Sequence, residues 1–464
     1  MRLLHGGHVV TPAGVIEGGS VRIDGERIAE VGLLEPKEGE EILDCAGCWV
    51  LPGGVESHCH LDLEAGAELT ADDFATGTRA ALAGGTTTVL DFATQFHGQT
   101  LAHGFDRWMV KATGRAVADF GFHMAMTEWK EDFAAQMAEM PGRGVTSFKL
   151  YMAYRHSMMV DDDDILAALT ASAGFGGTIG FHCENGRLID ALVQRALAAG
   201  HTTPYFHAAT RPAILEAEAI DRLAVIAGLA AAPFYVVHLS SAPGLAAVAR
   251  ARAAGGAVVA ETCPQYLLLD VAAYGGPDDD RLESRAVVMS PPLRTAADRE
   301  ALWAALAAGE VQFVGTDHCS FDLRGQKDKA TDFAHTPNGA PGIELRMVLL
   351  WSEGVAAGRM DPVRYAQVTA TNAARYFGLY PRKGALVAGA DADVVVLDPG
   401  TRWTVTRAAL HENVDHTPYE GREVTGRVRE VFLRGHHAVV GGRLGDELPT
   451  GEYLHCGPPD LSIA

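Results

Sequence analysis

No run of about 18 consecutive apolar residues, the length a membrane helix needs, occurs in the 464-residue chain, so no span is expected. Met1-Arg2-Leu3-Leu4-His5-Gly6-Gly7 leads straight into a turn instead of an apolar leader, so no secretory signal is expected either. Cysteine is scarce. Seven residues, an odd number at irregular spacings, do not make the disulfide framework of a small secreted domain. Cys45 and Cys48 form a C-x-x-C, but no second pair accompanies them for zinc, and they read as ordinary packing. Positive charge is also short: 38 Lys and Arg against 59 Asp and Glu leave a net charge of −21. That balance argues against nucleic acid or an anionic membrane surface as the partner. The expectation left standing is a cytoplasmic enzyme with free thiols.

What the chain does have is two kinds of rhythm. Near its start, Val21–Val31 alternates apolar and polar residues around Asp24-Gly25, a strong hairpin signal. Near its end, Asp393–Asp398 reads as a buried strand, and Val431–Gly435 followed by Ala438–Gly442 reads as a second hairpin. The two β-rich ends are expected to pair into one small β-sandwich domain, residues 1–51 with 386–464. The middle, residues 52–385, alternates short apolar strands with alanine-rich helical stretches, the pattern of a parallel sheet covered by helices. Eight strands are expected there: Cys48–Val55, Thr86–Phe92, Phe120–Met126, Ser147–Tyr151, Thr178–His182, Phe234–His238, Ala257–Thr262 and Gln312–Thr316. Asp161–Ser172 opens on four aspartates and reads as a helix start, because negative charge belongs at a helix amino terminus. Eight β/α units are the count for an α/β fold of the TIM-like (β/α)8 barrel type.

Such barrels place chemistry at the carboxyl ends of their strands. The first strand runs into His58-Cys59-His60, the fourth carries Lys149, the fifth ends at His182, the sixth at His238, and the eighth runs into Asp317-His318. Two histidines at i and i+2 on extended chain point to one side and can reach one ion. A single histidine at a strand end is usually a hydrogen-bonded core or surface residue, and 19 histidines will place some there by accident. Four of them with an aspartate on one rim are a different matter. Imidazole plus carboxylate suits zinc first, then manganese, cobalt or iron. An ammonium at Lys149 would be repelled by such ions. A desolvated neutral lysine can instead take up carbon dioxide as a carbamate, a carboxylate on a long arm.

These residues carry a family resemblance. Pro52–Leu61, Ser147-Phe148-Lys149, Phe181–Asn185, Val237–Ser240, Ser290–Arg294, Gly315–Cys319 and Pro337–Glu344 resemble, in their joint order, the dihydropyrimidinase/hydantoinase branch of the amidohydrolases. The likeness runs over almost the whole chain. It implies a metal-dependent hydrolase that opens cyclic ureides to N-carbamoyl amino acids. It implies His58, His60 and Asp317 on a first metal, His182 and His238 on a second, and carboxylated Lys149 bridging both. Asp317 would move a proton from the attacking water to the leaving nitrogen, and Tyr154 would donate to the oxyanion. The main chain at Ser290 and Asn338 would hold the edges of the ring. The resemblance also implies a homotetramer or homodimer.

The departures are Glu56, where the family usually has Asp, and Glu64-Ala65-Gly66-Ala67, where many hydantoinases continue with proline and phenylalanine over the ring substituent. Glu64 is therefore expected to face water or to make the substituent pocket polar. Tyr151 and Met158 fill the other loop. Dihydroorotases resemble one another in an arginine two residues after the second histidine, but that place is Asp62, which disfavours them. An allantoinase-like enzyme is the nearer alternative. A non-catalytic dihydropyrimidinase-related scaffold is another, and the six intact ligand positions count against it.

Overall fold

In a computed structural model describing residues 1–464, eight parallel strands follow one another round a single sheet. They are β1 (Gly54–Cys59), β2 (Thr86–Gln95), β3 (Asp119–Met126), β4 (Ser147–Tyr151), β5 (Thr178–His182), β6 (Phe234–Val236), β7 (Val258–Thr262) and β8 (Phe313–Val314). Every residue of these strands is buried, as a sheet filled on one face and covered by helices on the other requires. Alanine-rich helices such as Asp162–Phe175 and Ile214–Ala230 form the cover. The first begins at the acidic run, with Asp161 at its cap and Asp162, Asp163 and Asp164 in its first turn.

No ladder joins β8 back to β1. The seam is closed by Glu56, whose Oε1 accepts from the N–H of Thr316 at 2.8 Å and of His58 at 2.9 Å. The His60 N–H donates to the His318 carbonyl at 2.8 Å beside it. One carboxylate thus reaches both sides of the seam.

The nine terminal strands make one sheet, in which Val394–Leu397 pairs antiparallel with Trp49–Pro52, joining the two chain ends. Both expected hairpins are present, turning at Gly25 and Gly435 with positive φ. The sheet forks where Arg2–Thr11 pairs first with Glu41–Asp44 and then with Trp49–Pro52. Its core of 14 buried residues includes Cys45 and Cys48, both free thiols.

Ser147–Tyr151 and Thr178–His182 keep their expected bounds, the second strand runs on to Gln95, the third starts at Asp119 and the seventh at Val258, and the other three differ more. Cys48–Val55 is two strands broken at Gly53, where a Cβ would lie 2.2 Å from Thr87 Oγ1. Trp49–Pro52 belongs to the terminal sheet and β1 begins at Gly54; a continuous apolar run conceals that handover. The sixth strand ends at Val236, two residues short of His238, and the eighth spans only Phe313–Val314 instead of Gln312–Thr316; beyond them His238 and Asp317 sit in the left-handed region (φ 41° and 51°). Such backbone is unfavourable for non-glycine residues and concentrates at functional sites.

Candidate active site

The carboxyl rim of the barrel gathers the six expected ligand positions. His58 Nε2 and His60 Nε2 each lie 3.2 Å from Asp317 Oδ1, and ligand atoms of the three converge within 4.8 Å of one another. Lys149 Nζ is 2.8 Å from His58 Nε2. Across the rim His182 Nδ1 faces His238 Nε2 at 3.1 Å. All but Asp317 are buried outright.

The protonation states suit metal binding. Burial holds His60 down to about 4 and His238 well below the usual imidazole range, so both rings keep lone pairs at neutral pH. Burial also depresses Lys149, favouring the neutral amine, and no carboxylate forms an ion pair with it; the Phe92 ring lies 4.3 Å from its Nζ. Burial alone would raise Asp317, but His58 and His60 beside it take it well below the carboxylate range. His58 moves upward: burial and Lys149 oppose its charge, while Asp317 and Glu261 outweigh them. The Nδ1 atoms of His60 and His238 have no partner. A neutral His60, an ionised Asp317 and His58 converging on one point, with His182 and His238 across the rim, fit a binuclear metal site.

Two carboxylates behind the ligands were not singled out by the sequence. Glu261 on β7 accepts from His58 Nδ1 at 2.6 Å and from Ser57 Oγ at 2.7 Å, which fixes the His58 tautomer and frees Nε2. Glu184 lies 2.8 Å from His182 Nε2. The available signal for Glu261 was a lone charge inside Val258-Val259-Ala260-Glu261-Thr262, a strand otherwise free of charge.

Tyr154 sits at φ 64° with its ring 4.9 Å from that of His182. Its phenol is driven upward, first by burial, so it stays an O–H donor at any ordinary pH. Ser290 Oγ donates to Asn338 Oδ1 at 2.9 Å, which brings these two expected substrate contacts together. Their main-chain N–H and C=O groups bond to nothing in the protein, whereas the neighbouring Val288, Met289 and Gly339 carbonyls are all engaged. Tyr151 packs with Phe92 and Ala125, and Met158 lies against them.

Glu64 is paired, with its side chain still 36% exposed to water. Its carboxylate pairs with Arg107 and, at 3.0 Å, with Lys111, both on the helix Leu101–Ala112. Asp62 is paired too, with Arg115 at 3.3 Å.

A parallel barrel that gathers imidazoles, a carboxylate and a desolvated lysine at its carboxyl rim has the frame of a metal-dependent hydrolase. The amidohydrolase family model matches residues 49–438. The chain is 40% identical over 455 residues to a D-hydantoinase of Geobacillus stearothermophilus, covering 98% of this chain and 96% of that one. It is 43% identical over 444 residues to a D-hydantoinase of Streptomyces coelicolor, covering 94% of each. The crystal structure of a dihydropyrimidinase from Brevibacillus agri superposes with a TM-score of 0.96 at 38% identity over 99% of both chains. The chain belongs to the amidohydrolase family, in its hydantoinase/dihydropyrimidinase branch, and is a hydrolase of cyclic amides.

Proposed function

We propose that this chain opens cyclic ureides, dihydropyrimidines or 5-substituted hydantoins, to N-carbamoyl amino acids at a centre for two divalent cations. The observation that carries the reading is the convergence of His58, His60 and Asp317 beside Lys149 and the His182–His238 pair. His58, His60 and Asp317 would hold one cation and His182 and His238 the other. Zinc is the first choice and manganese the second on the donor set, and such ions polarise a carbonyl and lower the pKa of water. Lys149 would bridge them once its neutral Nζ adds to carbon dioxide and releases a proton, leaving a carbamate anion. Asp317 then carries a proton from the attacking water to the ring nitrogen as the amide C–N bond breaks. The Tyr154 O–H donates to the carbonyl oxygen as it gains charge. The free main-chain groups of Ser290 and Asn338 take the N–H and C=O edges of the ring. Seven free, buried thiols suit a reducing cytoplasm, and we assign a homotetramer or homodimer, which light scattering will read.

The test is metal analysis of protein purified without chelators, with turnover of dihydrouracil, hydantoin, phenylhydantoin and allantoin. About two metals per chain and opening of the first three rings are expected. Metal content near zero with no turnover after zinc or manganese is added refutes the reading, and turnover of allantoin alone would move it to that ring.

A further inference from the structure

The rim holds a second buried lysine that the reaction does not use. Lys327 is wholly buried, and its ammonium donates to three main-chain carbonyls: Arg285 at 3.2 Å, Val288 at 2.9 Å and Gly339 at 2.6 Å. An ammonium buried without a counter-ion is costly, and burial pushes this one down to about 7. Its three acceptors lie on two separate segments, the short helix Leu282–Ala286 with the loop that follows it, and the loop at Gly339. Val288 is two residues before Ser290, and Gly339 directly follows Asn338. The same loops are stitched by the Gly339 N–H to the Val288 carbonyl at 3.1 Å. His207 takes the next carbonyl, Met289, at 2.7 Å. The grip is mutual, since Arg285 Nη1 donates to the Ala330 carbonyl at 2.6 Å, just past Lys327. The carbonyls of Val288, Met289 and Gly339 are thereby all engaged, while the main-chain groups of Ser290 and Asn338 are free.

We propose that Lys327 is a positioning residue for substrate: it ties the Ser290 and Asn338 loops at the spacing at which their free main-chain groups grip the ureide edge. This rests on the assignment of those two residues to the ring edge. Lys327 reaches no ligand position, so its loss is read in binding and leaves the metal centre in place.

The test compares wild type with Lys327→Met on hydantoin and on hydantoin methylated at the ring nitrogen between its carbonyls, the latter as a competitive inhibitor. Wild type is expected to bind the parent ring at least about tenfold better than the methylated one, the worth of one edge hydrogen bond. Lys327→Met should raise KM for hydantoin at least about tenfold, hold kcat within about threefold and keep full metal content. The Ki of the methylated ring should stay within about twofold, because its edge bond is already lost. If wild type discriminates between the rings but Lys327→Met keeps its KM, or loses kcat and metal instead, the positioning role is wrong while the edge assignment stands. No discrimination by wild type overturns both. Should Lys327→Met not fold, Arg285→Met removes the reciprocal grip from the rim side. A KM rise of about threefold or more with metal retained supports the inference, and an unchanged KM overturns it.

Discussion

Lys149 and Tyr154 are the residues on which the proposed chemistry turns, and they fail differently when removed. Lys149→Ala deletes the side chain proposed to bridge the two cations, whose Nζ lies 2.8 Å from His58 Nε2. Metal content is expected to fall from about two to one or fewer per chain, with activity lost. A short carboxylic acid should restore part of it by standing in for the carbamate, and wild-type turnover without it would refute the bridge. Tyr154→Phe leaves every ligand position intact, so metal content should hold while kcat drops roughly 10²- to 10³-fold. A rise in KM alone would make Tyr154 a binding residue. The ligand positions were legible because imidazole and carboxylate are rare at the ends of apolar strands. Glu261 was not, because which strand residue faces His58 depends on the stagger of β7 against β1 across the barrel, which no local pattern records. Ser290 and Asn338 came only through resemblance; their unpaired main chain is a property of loop packing.

The loop after His60 shows the same division among elements. Residues Glu64–Ala65 and Glu68–Leu69 form a small hairpin, and Glu64 fastens it to the helix Leu101–Ala112 through Arg107 and Lys111. Sequence spacing placed Glu64 correctly after the metal-site histidines, yet its partners lie more than forty residues away. A carboxylate already held by two cations does not polarise the substituent pocket. Glu64→Leu is therefore expected to leave the ratio of kcat/KM for phenylhydantoin and dihydrouracil within about twofold. Its effect belongs to closure: partly exposed pairs are worth about 0.2–1 kcal/mol each, so amide exchange over residues 64–69 should quicken roughly 2- to 30-fold. A large gain for phenylhydantoin would return Glu64 to the pocket. The barrel strands themselves were readable because burial on both faces makes them short apolar runs. The division at Gly53 was not, since the terminal sheet and β1 demand the same residue types on either side of it.

At the scale of the molecule, the terminal sheet is fastened to the opposite end of the barrel by a buried ion cluster. Lys383 Nζ contacts Asp119 at 2.6 Å, at the amino end of β3, together with Asp391 at 2.9 Å and Asp393 at 2.8 Å beside the terminal strand. Arg434 also bonds Asp119, and Arg382 lies 2.9 Å from Asp391. Burial raises Asp393 even with Lys383 present, while Asp119, subject to the same burial, is held below the usual range by Lys383 and Arg434. Lys383→Met leaves Asp391 its two arginines, Arg27 and Arg382, but strips Asp393 of its only cation at contact. Breaking such a pair costs about 3–5 kcal/mol, and the melting temperature should fall accordingly. The sign of the pH dependence follows from linkage. In the wild type, Asp119 has a folded pKa below its unfolded value, so its contribution is present above about pH 4 and is lost as pH falls through the folded pKa. In Lys383→Met, Asp393 has a folded pKa raised further above its unfolded value, so the folded state binds the extra proton and gains stability as pH falls. The deficit of the variant against wild type should therefore be larger at pH 7.5 than at pH 5.5. Calorimetric melting at the two pH values checks this, and an equal deficit at both would mean that Lys383 contributes by packing and not by charge.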